Sequence, residues 1–395
     1  MSRPARAAAA LLVLAAARAG ATTQGENPGV TAAQVLQIPL GARAMGMGSA
    51  FTGVADDVST LYYNPAGLSN LGYREVSFMH LKGLEDQTLD YFAGASPLPF
   101  TGLMGLGYAT LGGSILWADQ GQIVYNPADS AGNILSTQNL RAGGDFVATL
   151  GYSERVASWD YEAGRESYPT DHFLGANVKF IRSTLAQSYS ATAVAADAGY
   201  FAKVPDLGLA GGLSLSNMGT HMRYTDGGIA DPLPLTARLG LSYAPRFLED
   251  LRNPPGQKLV FAGDAQYLYY EHLARGYVGL EYTVYGQECL RLGYQLNNDV
   301  GGVTFGFGVG WQRFQFDYAW TASSEFTDTH RFSVSYRFGG VSRRAREAHH
   351  RPRIEDFPES GPDRQTLEQA VPQTMDAPPR RPSPEGRPLS PGWIY

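Results

Sequence analysis

From Glu75 to Phe338 the chain runs in short segments where apolar and polar side chains alternate, separated by Gly, Pro, Asn and Asp. In Phe314–Trp320 one face carries Phe314, Phe316, Tyr318 and Trp320, and the other Gln315, Asp317 and Ala319. Arg331–Phe338 sets Phe332, Val334, Tyr336 and Phe338 against Ser333, Ser335 and Arg337. Val303, Phe305, Phe307, Val309 and Trp311 oppose Thr304, Gly306, Gly308 and Gly310. The pattern recurs in Leu235–Tyr243, Leu290–Tyr294 and His172–Phe180. A period of two places successive side chains on opposite faces of a sheet. The spacing predicts strands at about 75–82, 87–97, 101–112, 145–157, 172–185, 188–203, 207–218, 235–245, 257–270, 273–285, 288–297, 302–312, 313–321 and 329–338.

A soluble sandwich alternates in the same way, so the solvent is decided by what the faces carry. The apolar faces are rich in aromatics near strand ends, as a membrane interface requires, and the opposite faces are small or polar, as a crowded lumen requires. The fold class expected is therefore all-β: a 14-stranded antiparallel transmembrane β-barrel over 75–338, both ends periplasmic. The longest connections are 113–144, 158–171, 219–234 and 246–256; strand parity turns 113–144 and 219–234 outward and 158–171 inward.

Composition sharpens this picture. Charged residues are 17% of the 395-residue chain, against roughly 25% in ordinary domains. A mean hydropathy of -0.21 is too polar for a helical membrane protein, and no later segment approaches the length of a transmembrane helix. A net charge of -6 gives no sign of a nucleic-acid surface. Cys289 is the sole cysteine, which excludes an intrachain disulfide and a cysteine-based metal site. Arg3 and Arg6, the apolar run Ala7–Ala17 and Ala19-Gly20-Ala21 form a secretory signal over 1–21, so the mature chain is expected to begin at Thr22 outside the cytoplasm. A segment 22–74 precedes the barrel. The tail 339–395, rich in Pro and Arg and without Lys, reads as a disordered periplasmic extension, with Arg343, Arg344, Arg346, His349 and His350 solvated.

Gly41–Asp57 followed by Leu61-Tyr-Tyr-Asn-Pro-Ala-Gly-Leu68 is Gly-rich, with a helical turn near Asp56-Asp57 and then an Asn-Pro turn. It resembles the N-terminal hatch of the FadL-like outer-membrane family, and within it the PorV/PorQ branch. Ser216–Gly219, Tyr224–Gly228 and Asp231–Pro234 leading to Arg238-Leu-Gly240 are similar to that branch's outer loop, and Phe338 is similar to the terminal aromatic signal read by the barrel-assembly machinery. The likeness covers about 30–338. It implies a hatch built on Gly46, Gly48, Asp56, Asp57, Asn64, Pro65 and Gly67 that plugs the barrel, with Asp56 and Asp57 paired to arginines of the barrel interior.

By alternation Lys179, Arg238, Asp264, Glu281, Arg291, Asp317 and Arg337 face inward. An Arg or Lys facing lipid at the midplane costs roughly 2–4 kcal/mol, so these charges are expected to pair with one another or with the hatch. Gly306, Gly308 and Gly310 thin one wall enough to admit plug backbone. No nucleophile elbow, phosphate loop or zinc spacing is present, so neither enzymatic chemistry nor a cofactor or metal is expected.

Two roles follow. The PorV/PorQ likeness implies a barrel that binds and shuttles exported proteins in a type IX secretion setting. Trp117, Tyr125, Met222 and Tyr224 on the outer loops would be the contact surface for cargo or apparatus subunits. The alternative is a FadL-like transporter of hydrophobic small molecules.

Overall fold

In this computed structural model the described residues are 27–339, without Pro28, 84–85, 105–106, 164–165, Gln187, 249–253, 299–301 and 323–327. The signal peptide, the start at Thr22 and the tail beyond Gly339 lie outside them. Sixteen strands form: β1 (Arg74–Lys82), β2 (Thr88–Thr101), β3 (Tyr108–Asp119), β4 (Gln122–Tyr125), β5 (Gln138–Arg141), β6 (Gly143–Ala163), β7 (Glu166–Leu185), β8 (Tyr189–Val204), β9 (Leu209–Gly219), β10 (Thr236–Tyr243), β11 (Lys258–Leu268), β12 (Leu273–Val284), β13 (Glu288–Leu296), β14 (Val303–Trp311), β15 (Phe314–Thr321) and β16 (Thr329–Phe338). Fourteen of them close an antiparallel barrel, with β16 paired back onto β1 from Arg74↔Phe338 to Lys82↔His330. β4 and β5 form a separate hairpin between β3 and β6.

The all-β, 14-stranded class is as expected, and most strand bounds agree within a few residues. Two segments differ. The third strand runs over Tyr108–Asp119 rather than 101–112, because β2 continues past Pro97 to Thr101. Polarity could not place it: inward Leu116 and Ala118 are as apolar as outward Ile115 and Trp117. The connection 158–171 is not a loop. β6 and β7 stay paired to Ala163↔Glu166, past a bulge between Arg155 and Ala157, and project as a long hairpin. Mixed polarity on both faces of that extension hid its strand character.

The wall sorts as the alternation requires. Leu150, Val178, Val194, Leu213, Leu239, Leu292, Phe305 and Phe307 stand exposed on the outside. Trp311, Phe314, Tyr336 and Phe338 gather at the end carrying Arg74 and Phe338, here called the base; Phe314 and Tyr336 lie 4.8 Å apart by ring centroid. At the other end, the mouth, Trp320 and the pair Tyr318–His330 continue the aromatic band. A closed sheet with an apolar outer belt between aromatic rims satisfies its backbone internally, which is what a bilayer demands of a β-protein.

Candidate functional site

The lumen is filled by the chain's own N-terminal segment, which enters at the mouth. Thr31 Oγ1 donates to Glu271 Oε1 at 2.9 Å, in the β11–β12 turn, and Ala32 N donates to Pro232 O at 2.9 Å, in the β9–β10 loop. From there a strap, with one short helical turn over Gln34–Gln37, descends inside the barrel and buries Val35, Leu36 and Leu40. Thr31–Leu40 thus lie in the mouth half of the barrel, at the far end from Phe338. Hydrogen bonds from Thr31, Ala32 and Gln37 to the mouth loops and the burial of Val35, Leu36 and Leu40 fix this position, and these partners are far away in sequence.

Below the strap the hatch crosses at mid-height against a collar of inward glycines. These glycines face one another across adjacent strands: Gly112↔Gly151, Gly175↔Gly199, Gly212↔Gly240 and Gly279↔Gly293. A Cβ on Gly240 would lie 2.6 Å from Gly53 N, and one on Gly175 would lie 2.5 Å from Ala66 N. A Cβ on Gly279 or Gly293 would collide with the Met47-Gly48 backbone, and one on Gly212 with Thr52 O. The hatch reciprocates: a Cβ on Gly48, whose φ is +66°, would be 2.7 Å from Val278 O, and one on Gly46 would be 3.0 Å from Gly306 Cα. Gly306 therefore does admit plug backbone. Gly67 is closed in by Ala55 of the hatch itself. Alternation marked these strand positions as small, but their alignment into one ring needed the register. A glycine at the inward parity of β3, β6–β10, β12 and β13 was the available signal.

Asn64 locks the next turn. Its Oδ1 accepts from Ala66 N at 3.2 Å, and its Nδ2 donates to Thr52 O at 3.3 Å and to Tyr200 O of β8 at 3.0 Å. Pro65 opens the short 3-10 turn Pro65–Asn70, where a missing amide hydrogen costs nothing.

All seven sequence-predicted lumen charges face inward. Arg291 Nε donates to Glu281 Oε2 at 2.7 Å and its Nη1 to Asp317 Oδ1 at 2.7 Å. Lys179 pairs with Asp197 at 2.8 Å, and Arg337 with Glu75 at 3.2 Å. Asp264 Oδ2 receives the amides of Phe51 and Thr52 at 3.0 and 2.8 Å. Arg238 forms no ion pair among the described residues and lies over the rings of Tyr62, Tyr63 and Tyr277, 5.2–5.8 Å from their centroids.

The expected partner of Asp56 and Asp57 needs correction. Among the described residues no barrel arginine reaches them; the hatch's own Arg43 does, at 2.6 and 3.0 Å, and its other nitrogens hold Glu281 of β12 at 2.8 Å. Arg43 thus ties the two hatch acids to the wall. Burial opposes the ionised form of Asp56, but the Arg43 guanidinium outweighs it and holds the carboxyl below its usual range.

The lumen is divided by chemistry. Over β1–β3 and β6–β8 its mouth half is apolar, with Met79, Leu81, Leu89, Tyr91, Leu116, Val147 and Ile181 packed against Val35, Leu36 and Leu61. The ion pairs Glu281–Arg291–Asp317 occupy the side of β12, β13 and β15. A cavity of only about 20 Å³ remains in the apolar half, beside Tyr62 and Leu36.

The outer-loop residues divide. Tyr125 is exposed on the β4–β5 hairpin together with Ile123, Val124, Ile134 and Leu135. Trp117 belongs to β3 and faces outward from the barrel wall, not to a loop. Met222 is fully buried and offers no contact surface, while Tyr224 is half-buried against the same apolar cluster. Their loop folds inward over the strap, pinned by Met222 N→Asp231 O at 2.8 Å.

Residues 8–105 match the model of an uncharacterised protein family (UPF0164), a stretch that takes in the strap, the hatch, β1 and β2. No curated protein matches the chain. Among solved structures, the P. putida toluene transporter TodX is similar at 12% identity over 76% of this chain and 99% of that one, with a TM-score of 0.43. A TodX variant described as a monoaromatic hydrocarbon channel gives 13% over 75% and 98%, TM-score 0.43. The KdgM porin gives 12% over 67% and 99%, TM-score 0.29.

Proposed function

We propose that the chain is an outer-membrane barrel that binds and passes a hydrophobic small molecule, with its hatch as a fixed closure. The observation that supports this most is the apolar half of the lumen above the hatch, set apart from the side that carries the Glu281–Arg291–Asp317 ion pairs. An apolar solute matches Leu36, Tyr91, Leu116 and Val147 there. The seat is occupied by the strap, so passage requires Val35, Leu36 and Leu40 to give way. In this orientation the base is periplasmic and the mouth faces outside. Phe338, stacked on Tyr336 at 5.4 Å, serves as the aromatic signal for barrel assembly.

The test is uptake of a radiolabelled apolar compound by cells with and without the chain, the protein first verified as heat-modifiable in detergent. Uptake should rise with the chain and fall several-fold in Asn64→Ala and Pro65→Ala. Equal uptake with and without the chain overturns the reading.

One observation favours capture of exported proteins, as in the PorV/PorQ reading: the β4–β5 hairpin projects with both edges unpaired and its apolar side chains exposed. Such edges accept an added strand. If residues 122–141 can be deleted without loss of any protein co-isolated with the chain, that second reading fails.

A further inference from the structure

One row of outward-facing side chains breaks the apolar belt. Trp117 of β3, Phe146 of β6, Arg182 of β7 and Thr192 of β8 are direct neighbours in the ladder, at one height across four adjacent strands. Arg182 is exposed, and among the described residues it has neither ion pair nor hydrogen bond. It lies three residues from the mouth end of β7, roughly 10 Å along the strand at about 3.3 Å per residue. A lipid-facing arginine is costly near the midplane and tolerated near the interface, so this position calls for an anionic partner supplied from outside the chain.

The surroundings are built to hold one. A concavity of about 660 Å³ opens at Arg182, lined by Trp117, Phe146, Phe180, Arg141 and Thr184. Trp117 and Phe146 meet edge to face at 6.2 Å between ring centroids, giving a rigid apolar floor. Arg141, at the end of β5, brings a second guanidinium. Its Nη2 holds Asp119 at 2.7 Å, while its Nε is buried without a hydrogen bond. Of the other carboxylates nearby, Asp90 is bonded to His80 at 2.7 Å; Asp145 also lines the concavity, but its side chain lies on the lumen side of the strand, where Oδ2 accepts from Gln120 at 2.7 Å and Oδ1 is buried without a hydrogen bond. Gly144, where a Cβ would lie 3.4 Å from Arg141 Nη2, borders the concavity beside that arginine.

We propose that this concavity is a binding site for the phosphate headgroup of an outer-leaflet lipid, held by Arg182 and Arg141 with its acyl chain laid on Trp117, Phe146 and Phe180. Guanidinium–phosphate hydrogen bonds are charge-assisted, and the aromatic floor supplies the apolar surface that a free anion would not use. The site rests on the membrane reading above but not on the transported compound.

The test uses the full chain purified in detergent. Bromine-labelled phosphatidic acid is titrated in, and quenching attributable to Trp117 is read as the difference between the wild type and Trp117→Phe. Saturable quenching is expected, with apparent affinity falling at least tenfold in Arg182→Gln and further when Arg141→Gln is added. Brominated phosphatidylcholine should quench without saturating at the same concentrations. Equal affinity in the wild type and the double variant, or no saturable quenching, overturns the site. Complete displacement by millimolar inorganic phosphate also overturns it, since the occupant would then be a free anion. Heat-modifiable migration of every variant shows that the barrel is intact; a wild-type protein extracted without detergent would instead sink the membrane reading.

Discussion

The backbone amide of Gly48 occupies the space into which a Cβ on Gly293 would project, so hatch and barrel wall meet main chain to main chain. Close-packed interiors answer an inserted methyl with backbone shifts costing roughly 1–3 kcal/mol. Gly293→Ala should therefore lower the temperature at which the barrel loses its heat-modifiable form. Gly94→Ala is the control: it faces outward, with ordinary contacts at 3.5 Å and beyond. Equal effects of the two substitutions would mean that the collar does not hold the plug.

Among the described residues Arg43 alone bridges Asp56 and Asp57 to the wall. Arg43→Met leaves Glu281 and Asp57 buried with one cation fewer, and removing one partner of a buried pair costs about 3–5 kcal/mol. Adding Glu281→Gln should recover part of that loss. Denaturation midpoints of the single and double variants give the coupling directly; additive losses would show that the two residues act independently.

The same contact sets an acid limb. With its carboxyl held below the ordinary value of about 3.9, Asp56 contributes its full stabilisation above that pH. The contribution is lost as pH falls through the depressed folded value. Wild type should therefore lose stability toward pH 3 more steeply than Asp56→Asn. Superimposable acid limbs would argue that Asp56 is not held by Arg43.

Topology offers a separate check. With the strap entering from the mouth, Asn27→Cys should react with a membrane-impermeant maleimide on intact cells, while Gly339→Cys, at the base, should react only after the outer membrane is opened. The native Cys289 is half-buried, and a Cys289→Ser background removes it from the readout. Labelling confined to broken cells for both positions would reverse the assigned orientation.

How much of this was legible follows from what each segment is packed against. Phe314–Trp320 and Arg331–Phe338 face lipid on one side and a polar lumen on the other, so their alternation located them almost to the residue. Where the lumen is apolar the contrast vanishes, as at Leu116 and Ala118, and β3 was misplaced. The inward charges were readable because only one face of the wall can hold them. Their partners were not, since Arg43 meets Glu281 across 238 positions of sequence. Met222 shows the opposite failure: the loop around it is exposed, but its own side chain turns inward onto the apolar cluster that the strap helps to form.

A sheet that closes on itself has one seam, between β1 and β16, and the plug is fastened to both of its lips. Ala42 N donates to Ser333 Oγ of the last strand at 3.0 Å, Val58 N to Glu75 Oε2 of the first at 3.1 Å, and Glu75 then reaches Arg337 across the join. Parting the two edges would break these side-chain ties as well as the ladder between the strands. The element that blocks the pore thus also serves as a clasp, and a hatch that left the lumen would leave the ring easier to open.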